Sequence, residues 1–157
     1  MVNWIYKGKE FTSPDGCYGF IYMLTFDDGT KYIGKKDFYT YVKLPVLKSG
    51  KQRPNSTRIA KNKNGKRVYY DVVKKESNWR TYNSSSKLIG DRKTVYKEIL
   101  ALAKTKRELT YLETKYLFIY EVLETSEFLN ENILGKFYAP VQLTDKGNAW
   151  LRRNFHL

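Results

Sequence analysis

The sequence predicts an α+β domain: a small, mainly antiparallel three-stranded sheet flanked by helices, with a long basic insertion after its hairpin. Three stretches carry that prediction. From Gly19 to Gly34, an alternating run, a turn and a second run read as a β-hairpin. Thr94-Val95-Tyr96-Lys97-Glu98-Ile99-Leu100 has the β-propensity of a third strand, and Thr105-Lys106-Arg107-Glu108 is a capping box that opens a helix.

At the N-terminus, Asn3 to Tyr6 reads as a short edge strand or lid, and Ser13-Pro14-Asp15-Gly16 is a turn leading into the hairpin. Within the hairpin, Phe20, Tyr22, Leu24 and Phe26 alternate with Ile21, Met23 and Thr25, and Asp28-Gly29 supplies the turn chemistry. A two-residue loop would set Tyr32 opposite Thr25 and send the hydroxyls of Tyr22 and Tyr32 to opposite faces. A three-residue loop, Asp27-Asp28-Gly29 with Gly29 left-handed, sets Leu24 against Tyr32 and Tyr22 against Gly34. Both phenols then share one face as diagonal neighbours, roughly 7–8 Å apart between backbones. Gly34 leaves room over the Tyr22 ring, which favours the three-residue loop.

Residues 37 to about 80 read as an insertion. Between Lys43 and Arg80, twelve lysines and arginines stand against only Asp71 and Glu76, a net charge of +10. Pro45, Gly50, Pro54 and Gly65, with the Asn-rich run Lys61 to Lys66, are turn chemistry. Val68-Tyr69-Tyr70-Asp71-Val72-Val73 is a short apolar patch with the character of a strand or a helical turn. The cations Lys36, Arg53, Arg58, Lys61, Lys63, Lys66 and Arg67 are expected to meet phosphates, while Tyr39, Tyr41, Tyr69, Tyr70 and Trp79 are suited to stacking. A merely solvated insertion is the alternative.

Ser86 or a neighbour is placed to cap a short helix near Lys87. From Thr105, Leu109, Leu112, Tyr116, Ile119, Tyr120 and Leu123 recur at helical spacing through about Glu124. At about 100° per residue, Glu113 lies about 40° from Leu109, inside the apolar arc. A carboxylate so placed faces the core or a cleft and needs a partner, either a neighbouring Lys or Arg or a metal ion. The extension from about 135 to 157 adds Lys136, Lys146, Trp150, Arg152, Arg153 and Phe155, and is too short for an independent DNA-binding domain.

The length, 157 residues, suits a single domain over 1–157. A net charge of +13, from 29 Lys plus Arg against 16 Asp plus Glu, predicts a polyanionic partner, most simply nucleic acid, held with salt-dependent affinity. Cys17 is the sole cysteine and His156 the sole histidine, which excludes an internal disulfide and argues against Cys- or His-based metal centres and Ser-His-Asp triads. A reducing cytoplasm fits, and no apolar run reaches signal-peptide or membrane-spanning length.

Gly19-Phe20-Ile21-Tyr22 followed, ten residues on from Tyr22, by Tyr32-Ile33-Gly34 resembles the signature of the GIY-YIG nucleases of phage and mobile-element type, including the homing endonucleases. The resemblance implies a Mg²⁺- (or Mn²⁺-) dependent endonuclease acting on DNA, most simply double-stranded. It implies that Tyr22 helps activate water, that Tyr32 supports it, and that an arginine neutralises the phosphate with help from Lys35 or Lys36. It further implies that Glu113 holds the metal and that Asn130, or else Asn132, braces the site. In the family the arginine lies about ten residues after the second tyrosine, where this chain has Val42. Counting the same step from Tyr82 reaches Arg92, which is the first choice; Arg80 is the second. Two rival readings are a non-catalytic nucleic-acid-binding module that keeps the hairpin and basic surface, and a structural protein whose tyrosines only pack a core.

Overall fold

A computed structural model describes residues 2–64 and 66–138, and all of their side chains except those of residues 61–63. The hairpin at its centre joins β3 (Gly19–Phe26) to β4 (Lys31–Asp37), after β1 (Trp4–Tyr6) and β2 (Lys9–Glu10). Tyr22 pairs with Gly34 and Leu24 with Tyr32. The Phe26 N–H donates to the Thr30 carbonyl at 2.9 Å, and Gly29 has φ +82°. This is the three-residue loop with a left-handed glycine.

The central sheet is larger than the expected three strands. It has five, in the order β2-β1-β8-β3-β4, where β8 spans Thr94–Ala103. The N-terminal segment is not a lid: β1 runs parallel to β8, with Ile5 beside Glu98, and β2 forms the outer edge. Trp4 drives that pairing. It is buried to 2% exposure, and its indole N–H donates to the Trp79 carbonyl at 2.7 Å.

The insertion is also β-structure and not a loop. β5 (Tyr39–Pro45), β6 (Ser56–Lys63) and β7 (Lys66–Glu76) form a separate antiparallel sheet in the order β5-β7-β6. The apolar patch Val68 to Val73 lies within its middle strand. Lysines and arginines obscured these strands because much of the sheet is open to water, so no buried face imposes a regular apolar alternation. At its root, Phe38 is fully buried against Trp79, and Ser77 donates through its N–H to the Phe38 carbonyl and through its hydroxyl to the Asp37 carbonyl.

Only one α-helix occurs among the described residues, α1 (Lys106–Ile119). Its capping box forms as expected: Thr105 accepts from the Glu108 N–H at 3.1 Å, while Glu108 accepts from the Lys104 N–H at 2.7 Å. The helix stops at Ile119, short of Glu124, because Tyr120 caps it and Glu121 turns to φ +48°. The second flanking helix, expected near Lys87, is a single 3₁₀ turn over Lys87–Ile89, ended by Gly90 at φ +58°. Short strands β9 (Asn132–Ile133) and β10 (Phe137–Tyr138) follow α1.

Two cores lie on the two faces of the central sheet. Phe20, Tyr22, Leu24 and Phe26 point to one, roofed by Trp79 and Ile89; Ile21 and Ile33 point to the other, covered by α1 through Leu109 and Leu117. Each fully buried aliphatic side chain is worth roughly 1.5–3 kcal/mol. No helix among the described residues is long and apolar enough to cross a membrane. Residues 139–157, with Lys146, Arg152 and Arg153, lie outside the described residues.

Candidate active site at the edge strand

The tyrosine pair is set by the hairpin register. The rings of Tyr22 and Tyr32 lie 6.5 Å apart at 36°, on the same sheet face. A Cβ on Gly34 would stand 2.5 Å from the Tyr22 hydroxyl oxygen and 2.7 Å from Cζ, so the glycine is what lets the Tyr22 ring lie across the neighbouring strand. The segment from Tyr82 to Ser86 closes over the pair. The Tyr82 ring meets Tyr22 edge-on at 6.0 Å, with Ser84 beside the Tyr22 phenol and Ser86 beside that of Tyr32.

Burial gives the two phenols different characters. Tyr22 is 2% exposed, and loss of hydration pushes its pKa far above the phenol range, with the Ser84 hydroxyl pulling the other way. Tyr32 is half-buried. Its pKa is also raised, first by burial, against the pull of the Ser86 hydroxyl, and further by the negative charge of Glu113. Both therefore remain neutral phenols at physiological pH, and Tyr32 is the one that opens onto a cavity.

That cavity, about 300 Å³, is lined by Tyr32, Lys35, Glu113 and Asn130 among others. It lies at β4, the end strand of the sheet. Successive residues of a strand point to opposite faces, so Tyr32, Gly34 and Lys36 share the tyrosine face while Ile33 and Lys35 face α1. Glu113 sits on α1, on the side away from the tyrosine pair, and approaches Tyr32 around the strand edge. Glu113 pairs with Lys35 at 2.7 Å, with its side chain 18% exposed.

Asn130 clips the same strand. Its Oδ1 accepts from the Ile33 N–H at 3.0 Å and its Nδ2 donates to the Ile33 carbonyl at 2.9 Å. Just before it, the Lys31 N–H donates to the Glu127 carbonyl and the Leu129 N–H to the Lys31 carbonyl, so this segment runs beside β4 like a partial strand. Asn132 lines the cavity, but its side chain accepts from the Gly135 N–H.

Neither arginine lines this cavity. Arg92 donates to Asp28 at 2.6 Å and to the Leu88 and Ile89 carbonyls, tying the hairpin turn to the 3₁₀ turn. Arg80 lies over Trp79 and donates to Glu76 and to the Thr12 carbonyl. The count from Tyr82 assumed a helix there, and the chain makes only one turn before Gly90. The cations near the tyrosines are lysines: Lys35, and Lys36, whose ammonium lies 4.0 Å from the centre of the Tyr82 ring and donates to Asn78 at 2.8 Å.

In the insertion sheet, Arg53 and Arg58 converge on Asp71, a carboxylate with no exposed surface, at 3.7 and 3.3 Å. Both guanidinium groups are thus turned toward Asp71, with about a third of each side chain exposed. Lys66 and Arg67 are exposed, and Lys74 stands 3.8 Å over the Tyr39 ring. Lys61 and Lys63 are in β6, with side chains outside the described part.

Lys97 was overlooked by sequence reading. It lies in β8 opposite Leu24, 2% exposed, and donates to the Tyr82 carbonyl at 2.8 Å. A register shift in the β3–β8 pairing between Ile21 and Tyr22 blurs the alternation that would have marked it as inward-facing.

A family model described as "Putative endonuclease segE, GIY-YIG domain" matches residues 4–133, a span that includes the insertion sheet and the segment carrying Asn130. No curated protein and no solved structure matches the chain.

Proposed function

The chain belongs to the GIY-YIG family in the form that this match describes, and we propose that it is a divalent-metal-dependent endonuclease that hydrolyses phosphodiester bonds of double-stranded DNA. The observation that carries this reading is the meeting of Tyr32, Lys35 and Glu113 on one cavity at the β4 edge. Hydrolysis needs a positioned water, positive charge near the phosphate and help for the leaving oxygen.

In this reading Tyr32, the accessible phenol, hydrogen-bonds the water or the phosphate, and buried Tyr22 fixes its position through the ring contact. That exchanges the roles the family resemblance implies for the two. Lys35 and Lys36 supply positive charge from the two faces of one strand, in the place of an arginine. Lys35 neutralises Glu113 until a phosphate arrives. Glu113 is the residue that would hold a hydrated Mg²⁺ or Mn²⁺; one carboxylate in a cavity of about 300 Å³ suits an ion that keeps several of its waters. When bound, such an ion supplies charge stabilisation at phosphate oxygens and a more acidic water. The insertion sheet, with exposed Lys66, Arg67 and Lys74, grips the DNA backbone.

One observation favours a non-catalytic binding module instead: both candidate arginines are tied up elsewhere. Incubating supercoiled plasmid with the protein, with Mg²⁺ or with EDTA, separates the two. Nicking that requires Mg²⁺ and is lost in Tyr32→Phe is expected. Salt-sensitive DNA binding with no metal-dependent nicking would establish the binding module.

A further inference from the structure

Beyond the serine segment that covers the tyrosines lies a second cavity, about 500 Å³, which includes neither tyrosine nor Glu113. Lys97, Arg92 and Lys93 line it together with the hydroxyl residues Ser84 and Ser86, and none of its lining residues is acidic. Lys93 is exposed at the surface, whereas Lys97 is 2% exposed. The Lys97 ammonium donates to the Tyr82 carbonyl and lies 5.0 Å from the Trp4 ring; no carboxylate among the described residues pairs with it. Arg92 spends its Nε on Asp28 and Nη1 on backbone carbonyls, leaving Nη2 uncommitted.

A buried ammonium without a counter-charge is costly. Burial lowers the Lys97 pKa below its ordinary 10.5, which reports the same cost from the titration side. A methionine would fill the space, pack against Trp4 and avoid that cost. The chain nevertheless places a cation there, walled by two serines that also touch the Tyr22 and Tyr32 phenols. An anion with several acceptor oxygens would satisfy the remaining Lys97 donors and the uncommitted Arg92 nitrogen together, with the exposed Lys93 ammonium at the rim.

We infer that this cavity is a phosphate-binding site centred on Lys97, and that its occupant in the working complex is a DNA backbone phosphate next to the one held at the tyrosine pair. The choice of DNA as the source rests on the endonuclease reading; the phosphate chemistry does not. The site couples DNA engagement to the active centre through Ser84 and Ser86, which line this cavity and stand beside the Tyr22 and Tyr32 phenols.

Two measurements test this on the whole protein, in wild type, Lys97→Met and the surface variant Lys93→Glu. The first follows the melting temperature as inorganic phosphate replaces chloride at fixed ionic strength. The second follows anisotropy of a short labelled duplex in EDTA across a salt series. A saturable phosphate-induced rise in melting temperature is expected for wild type. Phosphate affinity should weaken about tenfold or more in Lys97→Met, whose phosphate-free melting temperature equals or exceeds wild type. The salt slope of duplex binding should fall by about 0.9, the loss of one phosphate contact. No phosphate response in wild type, or an undiminished one in Lys97→Met, overturns the site. Should Lys97→Met fail to fold, Lys93→Glu decides in its place, because a carboxylate at the mouth must weaken the phosphate response. A lost phosphate response with unchanged duplex affinity and slope overturns the DNA assignment and leaves a small phosphate compound as the ligand. Intact phosphate binding in a protein that never nicks DNA defeats the endonuclease reading and not the site.

Discussion

The side-chain amide of Asn130 pairs with both polar groups of Ile33, accepting from its N–H and donating to its carbonyl, as a neighbouring strand would. Ile33 is the residue between Tyr32 and Gly34, so this clip fixes the sheet edge beside the cavity that Tyr32 and Glu113 share. Removing the amide in Asn130→Ala leaves two backbone groups without partners, and a buried unpaired group costs about 1–3 kcal/mol. Urea denaturation is expected to show a loss of about 2–4 kcal/mol. Asn130→Asp should recover only part of it, because a carboxylate cannot donate to the Ile33 carbonyl.

Gly34→Ala tests the packing of Tyr22 across the hairpin. A methyl group there would meet the Tyr22 hydroxyl at 2.5 Å, and the ring has Trp4, Phe20 and Tyr82 around it. Overpacking of this kind costs about 1–3 kcal/mol. Urea unfolding should show that loss, and cleavage should fall with it as the ring shifts against Tyr32.

Glu113→Gln and Glu113→Ala separate charge from packing. Both remove the partner of Lys35 and the proposed metal ligand, and both leave the Leu109 and Leu117 anchors of α1 in place. Single-turnover cleavage in Mg²⁺ is expected to drop by roughly 10² or more, with duplex affinity in EDTA equal to wild type or somewhat higher. Full activity in either variant would remove Glu113 from the site.

The tyrosines give a pH dependence whose sign is fixed by burial. Tyr22 faces Tyr32, Tyr82 and the Ser84 hydroxyl, and its pKa is raised above the ordinary 10.0. Folding favours the neutral phenol, so this stabilisation is complete below pH 10 and is lost as pH rises beyond it. Lys97, shifted downward, works in the opposite sense above its own lowered value. Absorbance titration should therefore show part of the tyrosine ionisation delayed past the ordinary phenol range and coincident with loss of structure by circular dichroism. A cleavage rate that tracks phenolate formation in the folded protein would contradict a neutral Tyr32.

Several features were legible in the residues because they are local. The hairpin register follows from Asp-Asp-Gly and from a glycine opposite Tyr22. The helix start follows from Thr105 and Glu108, and the carboxylate on its apolar stripe from spacing alone. Of the insertion's strands only the middle one left a trace, the patch Val68 to Val73 that suits a strand or a helical turn, because a sheet with much of its surface in water needs no regular pattern of buried residues. The arginine could not be read by counting either, since Arg92 is committed to Asp28 by a contact between residues far apart in the chain.

The sequence by itself determined that Tyr22 and Tyr32 share a face and that Glu113 lies on the inward side of a helix, because turn geometry and helical period act over a few residues. Only the tertiary structure decided that Tyr32 opens to the cavity and Tyr22 does not, and that Lys35 lines that cavity while Arg80 and Arg92 do not. It also decided that Glu113, carried on the α1 side of the sheet, shares a cavity at the edge of β4 with Tyr32 and not with Tyr22. The physical reason is alternation: a strand sends neighbouring side chains to opposite sides. What meets at its edge depends on the elements packed against each face and on the Asn130 clip that holds the edge in place.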